Sequence, residues 1–264
     1  MSRHLRYAAA SPVALSKNEA HQFAADHALS IYPSQSVCTF IPKNGCSALR
    51  YAVAVANGVL RPGADIAWIH KNNDTFKSSL PHLALAEYTF TIVRCPFRRL
   101  ASAFLDKVVG EIGRRERFIR ASGVPESEIT FRRFALAMVD EQVRNADHHW
   151  TPQSRFFVYS EYDDVFCLEN FDGMAQRLKA RINFDIVDVR DKVRHSLDQF
   201  TLTEGTFADM PMAEIAATRL AGKSPSARSL YDAEIYQMVA NVYAEDAEFH
   251  LARAPTGAQL TLDA

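Results

Sequence analysis

The chain reads as an α/β fold, with a central parallel sheet flanked by helices and further helices toward the C-terminus. Three observations predict it. Uncharged runs rich in β-branched and aromatic residues alternate with segments of helical apolar spacing over residues 36–120. Strands alternating with helices imply a parallel sheet closed by crossovers. Hydrophobic residues make up 48% of 264 positions, enough to fill a sizeable core. The chain is therefore read as a single domain of residues 1–264, with 1–33 a lead-in and 253–264 a frayed tail.

The elements follow in order. The lead-in is helical or irregular. Strand 36–41 passes into helix 47–57, strand 65–70 into helix 75–86, and strand 88–94 into helix 96–120. A helix at 130–143 precedes a strand at 155–160 (RFFVYS), then a short strand and helix within 165–180. Residues 185–228 are poorly patterned. A helix at 231–250 closes the chain, with Ile235, Val239, Val242 and Tyr243 on one face.

Two of the strand-to-helix turns carry chemistry. In SVCTFIPKNGCSALR (36–50), Val37, Thr39 and Ile41 alternate with Cys38 and Phe40, as suits a strand buried on both faces. Pro42 ends the run because it cannot donate to a central ladder. Lys43, Asn44 and Gly45 form the turn, Ser47 opens the helix, and Asn57-Gly58 stops it. Unpaired N–H groups and the helix dipole at such a start favour a phosphate or sulfate, and Lys43 adds a full charge. The turn is P-loop-like without being a Walker A loop, since Lys43 precedes the only glycine instead of following the last one. In YTFTIVRCPFRRLASAFLDK (88–107), Arg94 ends the strand, Cys95 caps the helix and Pro96 takes its first position. Arg98, Ser102 and Asp106 share a face at four-residue spacing. Arg94 at the strand end and Ser102 two turns along can converge on one anion through a guanidinium fork and a hydroxyl.

As a pair, these motifs resemble the PAPS-dependent sulfotransferase family (PAPS, 3′-phosphoadenosine 5′-phosphosulfate), in its carbohydrate sulfotransferase branch. IPKNGCSALR is similar to that family's 5′-phosphosulfate loop, and IVRCPFRRLASAFLDK to its 3′-phosphate motif, an arginine followed eight residues later by a serine. DHHWTPQSRFF (147–157) and SLYDAEIYQMVANVYAEDAEFH (229–250) are similar to its middle segment and closing helix, so the resemblance spans 36–250. It implies a P-loop NTPase-like fold, with PAPS as co-substrate and a carbohydrate hydroxyl as acceptor. It also implies that Lys43, Asn44, Gly45, Cys46, Ser47, Ala48, Arg94 and Ser102 bind the donor, its two anionic ends gripped by the Lys43 turn and the Arg94/Ser102 pair. Arg228, in the loop SPSARS (224–229) with Ser226 and near Lys223, is either a further donor contact or part of a polar cap for the last helix.

In-line sulfuryl transfer asks the protein mainly to position partners and stabilise moving charge. Lys43 would stabilise the departing phosphate oxygen, and no metal is required. A hydroxyl acceptor needs a base near neutral pH, which suits histidine. His70, at the end of the strand assigned to 65–70, comes first, because ligands gather at strand carboxyl ends and because uronyl 2-O-sulfotransferase relatives keep their base between the two anion motifs. His149 comes second, with His148 and His82 behind. Trp150 either stacks on a sugar or fills the core. Asp147-His148-His149 lacks a spaced partner that would complete a metal site. A P-loop-type kinase using ATP and a catalytically silent nucleotide-binding protein are the competing readings.

Charge and cysteine usage narrow the setting. A net charge of −1 gives no global attraction to nucleic acid, although residues 94–133 hold ten basic and five acidic residues. The four cysteines form no C-x-x-C pair, which argues against a zinc site or a disulfide framework. Cys46 and Cys95 lie near helix starts that favour a thiolate, where oxidation would block the donor, or else are inert small residues in turns. No charge-free window of about 20 residues exists, and the N-terminus is weak as a signal peptide. The expectation is a cytoplasmic protein.

Overall fold

A computed structural model describes residues 3–8, 11–72, 74–189 and 199–262. In chain order the elements are α1 (Glu19–Ala25), β1 (Ala28–Ile31), β2 (Ser36–Thr39), α2 (Cys46–Ala56), α3 (Trp68–Lys71), α4 (Leu80–Leu85) and β3 (Tyr88–Val93). Then come α5 (Pro96–Ala103), α6 (Ile112–Ser122), α7 (Phe131–Ala137), α8 (Glu141–Asn145), β4 (Asp164–Cys167) and α9 (Phe171–Ile182). The chain closes with β5 (Thr201–Thr203), α10 (Met212–Leu220), β6 (Lys223–Pro225), α11 (Ala233–Val242) and α12 (Ala244–Leu251). The elements fall into two compact units, Met1–Val93 with Gln153–Val193, and Arg94–Pro152 with Arg194–Ala264. Among the described residues no helix is long and apolar enough to cross a membrane.

The first unit holds the sheet, in the order β1-β2-β3-β4. β2 pairs parallel with β3 and β3 with β4, while β1 runs antiparallel along β2. The α/β fold with a largely parallel central sheet is thus the one expected. Every residue of β2 and β3 is buried, which is why both read as unbroken runs without a polar face. Phe90, Ile92, Met174, Leu178 and Phe184 pack into its core. Asn44, after β2, is 1% exposed, and its Nδ2 donates to the Ile92 carbonyl of β3 at 2.9 Å and to Gln153 Oε1 at 2.5 Å. The turn after β2 is thereby fastened to its neighbouring strand.

The second unit is mainly helical, with the short parallel pair β5–β6. Phe104, Phe118, Phe131, Phe134 and Trp150 form an aromatic core with Leu230, Ile235 and Val239. Trp150 is fully buried and its Nε1 donates to the Val143 carbonyl at 2.9 Å, so it serves as a core residue.

Several expected elements differ. Residues 65–70 form no strand. Asp65 Oδ1 accepts the Ala67 amide at 2.8 Å and its carbonyl accepts Trp68 N–H, and this local turn starts the single-turn helix α3. Helix 75–86 begins only at Leu80, because residues 76–78 pair with β1 through Ser30 and Ala28. Helix 96–120 breaks after a π-helical turn at Phe104–Val108. At Gly110 a Cβ would lie 2.7 Å from the Asp106 carbonyl oxygen, and α6 then starts at Ile112 with Glu111 as its N-cap residue.

Helix 130–143 is two helices, capped separately by Thr130 and Asp140. RFFVYS is not a strand. It begins in a 3-10 turn and meets the N-terminal segment through one bridge, Leu5 to Tyr159, and the strand comes later as β4. The closing helix divides at Tyr243, whose hydroxyl donates to the Trp150 carbonyl at 2.7 Å. The lead-in supplies α1 and the edge strand β1. The described part of the tail is docked, with Leu260 2% exposed and its carbonyl accepting Tyr236 Oη at 3.1 Å. Residues 190–198 of the poorly patterned stretch, and 263–264 of the tail, lie outside the described residues.

Removing the Asn44 amide strands a buried carbonyl and a buried amide oxygen. Asn44→Ala is expected to cost about 1–3 kcal/mol in urea unfolding. Asn44→Asp should cost more, since a buried carboxylate would then face the Ile92 carbonyl. An unchanged unfolding midpoint in both variants would contradict the role given to this clamp.

Candidate active site

The first unit carries the Lys43–Ala48 turn. Lys43 has φ +72° and Gly45 φ +73°, so two residues in the left-handed region flank Asn44. Gly45 suits that backbone, and its missing Cβ also avoids Leu168 Cδ1, which would lie 2.9 Å away. Lys43 takes the same region with a side chain, a strained choice that concentrates at ligand-binding turns. α2 starts at Cys46 with Gly45 as its cap and no capping side chain. The first-turn amides of Cys46, Ser47 and Ala48 have no intrahelical acceptor. Cys46 and Ser47 are half-buried and Ala48 is buried, so this turn offers amide donors and a helix dipole to an anion. Asn44 Oδ1 is buried without a hydrogen-bond partner.

His70 belongs to the exposed face of α3. Its place at a strand carboxyl end, the physical reason for ranking it first, is not found. The neighbouring Ile69 carbonyl accepts from Arg50 of α2, whose guanidinium also lies 5.4 Å from the Phe40 ring centroid.

The second unit carries the other turn. Arg94 is half-buried just after β3, and α5 starts at Pro96 with no acid in its first turn. Ser102 is 8% exposed on the same helix. Cys95 is fully buried and accepts the Leu260 amide at 3.5 Å, so it is a packed residue of the turn. Arg228 is exposed on a 3-10 turn. Ser226 and Ser229 beside it each donate to Glu204 at 2.8 Å, which holds that carboxyl below its usual range and uses Ser226 to shape the loop.

Within this unit the structure assembles a group that the sequence did not reveal as such. Arg99, 2% exposed on α5, donates to the carbonyls of Thr151 (2.8 Å) and His148 (3.2 Å), which braces the 147–151 turn on that helix. Asp147 Oδ1 accepts the His149 amide at 3.0 Å and His149 Nδ1 at 2.6 Å. Its Oδ2 lies 2.7 Å from Arg114 and 3.5 Å from Arg117. Glu111 links Arg114 to Lys107 at 3.3 and 2.8 Å. Burial would raise the Asp147 carboxyl, but the His149 hydrogen bond and charge, with His148, hold it well below the ordinary carboxylate range.

Donation from Nδ1 selects the tautomer of neutral His149 whose lone pair is on Nε2, the arrangement of a general base. Asp147, His148 and His149 offer ligand atoms within 4.8 Å of one another. In the structure Asp147 Oδ2 faces the two guanidiniums and Oδ1 faces the His149 imidazole. The D-x-H spacing was the available signal for the Asp147–His149 pair; nothing in the sequence marked Arg99 or Arg114.

Residues 35–250 match the model of the sulfotransferase family. A curated relative, carbohydrate sulfotransferase 14 of Danio rerio, is 26% identical over 168 residues, which cover 54% of this chain and 44% of the relative. The match therefore spans less than half of that protein's length. No solved structure is matched. With the family match running over residues 35–250, from the start of β2 into the closing helices and across both strand-to-helix turns, this chain belongs to the sulfotransferase family.

Proposed function

We propose that this protein transfers a sulfuryl group from PAPS to a hydroxyl of a carbohydrate acceptor. The observation that carries the reading is the Lys43–Gly45 turn, strained at a lysine and opening onto the uncapped start of α2, inside a chain of the sulfotransferase family. The amides of Cys46, Ser47 and Ala48 take the 5′-phosphosulfate, and Arg94 with Ser102 takes the 3′-phosphate. His149 Nε2 accepts the acceptor hydroxyl proton as the new O–S bond forms. The S–O bond to the 5′-phosphate breaks, and Lys43 stabilises the charge left on that oxygen. Asp147 holds the imidazole in the required tautomer and favours the imidazolium that results. A sulfuryl group carries less negative charge than a phosphoryl group, so a lysine and backbone donors suffice. The acceptor class is supported by the relative's name, carbohydrate sulfotransferase 14.

The test is transfer of label from radiolabelled PAPS to a glycan panel, with ATP and magnesium as the kinase control. Labelled glycan from PAPS alone is expected. Phosphorylation from ATP, or PAPS binding without transfer to any glycan, would favour the competing readings. Lys43→Gly should lower kcat at least about 100-fold, as loss of one transition-state donor does. It should also unfold no earlier than the parent, because glycine relieves the positive φ at this site. Near-parental turnover would remove Lys43 from the mechanism.

His149→Ala should lower kcat about 10²- to 10⁴-fold, whereas His70→Ala changes it little. In the parent, kcat/KM should rise with pH as His149 loses its proton. Asp147 adds no second limb, because its depressed carboxyl is ionised throughout that range. Its contribution to stability is complete above the unfolded carboxyl pKa and is lost only as pH falls through the depressed folded value, in strong acid. Asp147→Asn should shift the rising limb to lower pH and reduce the plateau. A large loss in His70→Ala with none in His149→Ala would reverse the assignment.

A further inference from the structure

Arg98 is the exception among the arginines of its region. On α5 and α6, Arg99 binds two carbonyls, Arg114 and Arg117 pair with Asp147, Arg115 with Glu126, and Arg120 with Glu116. Arg98 is half-buried, its Nε is wholly enclosed, and among the described residues it enters no hydrogen bond or ion pair. An enclosed guanidinium N–H without an acceptor is costly to keep. Ser102, four residues on, likewise makes no hydrogen bond among the described residues, although it is only 8% exposed. Residues four apart on a helix lie one above the other. α5 therefore presents a guanidinium in its first turn and a hydroxyl in its second on one strip, beside an uncapped helix start with no acid in its first turn.

We propose that Arg98 is a second arginine for the donor's 3′-phosphate, acting with Arg94 and Ser102. The inference rests on the PAPS reading above. A phosphate monoester carries about two negative charges at neutral pH. One arginine with a hydroxyl leaves roughly half of that charge unbalanced, and Arg98 supplies the remainder. Its chemical consequence is specificity. Arg98 favours a 3′-phosphorylated nucleotide over the same nucleotide with a free 3′-hydroxyl, and contributes little to the 5′ end.

The test is calorimetric titration of the parent, Arg98→Gln and Arg94→Gln with adenosine 3′,5′-bisphosphate and with adenosine 5′-monophosphate, alongside thermal unfolding without ligand. In the parent the bisphosphate should bind much more tightly than the monophosphate. Arg98→Gln should reduce that preference about 10- to 100-fold, the worth of one charge-assisted contact. It should leave monophosphate affinity unchanged and unfold no earlier than the parent. A parental preference in Arg98→Gln, with the preference lost in Arg94→Gln, would overturn this role for Arg98 while the PAPS reading stands. Equal weakening toward both nucleotides, or an earlier unfolding transition, would assign Arg98 a structural role instead. Absence of any preference in the parent would remove the PAPS reading and this inference together.

Discussion

The Lys43–Ala48 turn of the first unit depends on the side chain of Asn44. A six-residue path from a buried strand to a helix must reverse direction while keeping its amides pointed outward. Left-handed backbone at Lys43 and Gly45 does this, and for a lysine that conformation costs about 1–2 kcal/mol. The buried Asn44 amide holds the path in place by bonding the Ile92 carbonyl at the end of β3 and the Gln153 side chain. A backbone acceptor of β3 just beyond its last pairing with β2, at Thr39–Thr91, is thus satisfied by the turn that needs anchoring, and one residue serves both needs. Parallel pairing of β2 with β3, in register from Ser36 opposite Tyr88, brings the two within reach.

A corresponding role in the second unit falls to Arg99 and Asp147. Arg99 carries its charge into the interior and donates to two carbonyl oxygens, so it acts as a strut between α5 and the 147–151 turn. Asp147, with no exposed side-chain surface, is surrounded by an amide, an imidazole and two guanidiniums. Enclosed charges of this kind stay ionised only when fully partnered. That condition fixes the orientation of His149, the property a general base requires. His70 lies exposed on the one-turn helix α3.

The parts of the chain that could be read from sequence were those where local and tertiary preferences agree. β2, β3, α2 and the start of α5 combine buried β-type runs, proline stops and glycine or asparagine ends, and the structure forms them within one or two residues of the expected bounds. The run at 65–70 misled because Asp65 captures the Ala67 amide, a short-range bond that no periodicity records. RFFVYS is buried like a strand yet is a turn against the N-terminal segment, since burial alone does not require a ladder. Helix breaks fall at Gly110, where a Cβ would meet the Asp106 carbonyl oxygen, and at Tyr243, whose hydroxyl donates to the Trp150 carbonyl. Of the candidate site, the two strand-to-helix turns, before α2 and before α5, were legible from spacing. The Asp147–His149 pair was visible only as neighbours, and the lack of partners at Arg98 required coordinates.

A crystal structure of the protein with adenosine 3′,5′-bisphosphate tests the central claim most directly, because it locates both anionic ends of the donor product at once. The account predicts a 5′-phosphate within hydrogen-bond distance of the Cys46 and Ser47 amides and Lys43 Nζ, with a 3′-phosphate on Arg94 and Ser102. A nucleotide bound elsewhere, or one whose phosphates leave the Lys43 turn without contact, would contradict it.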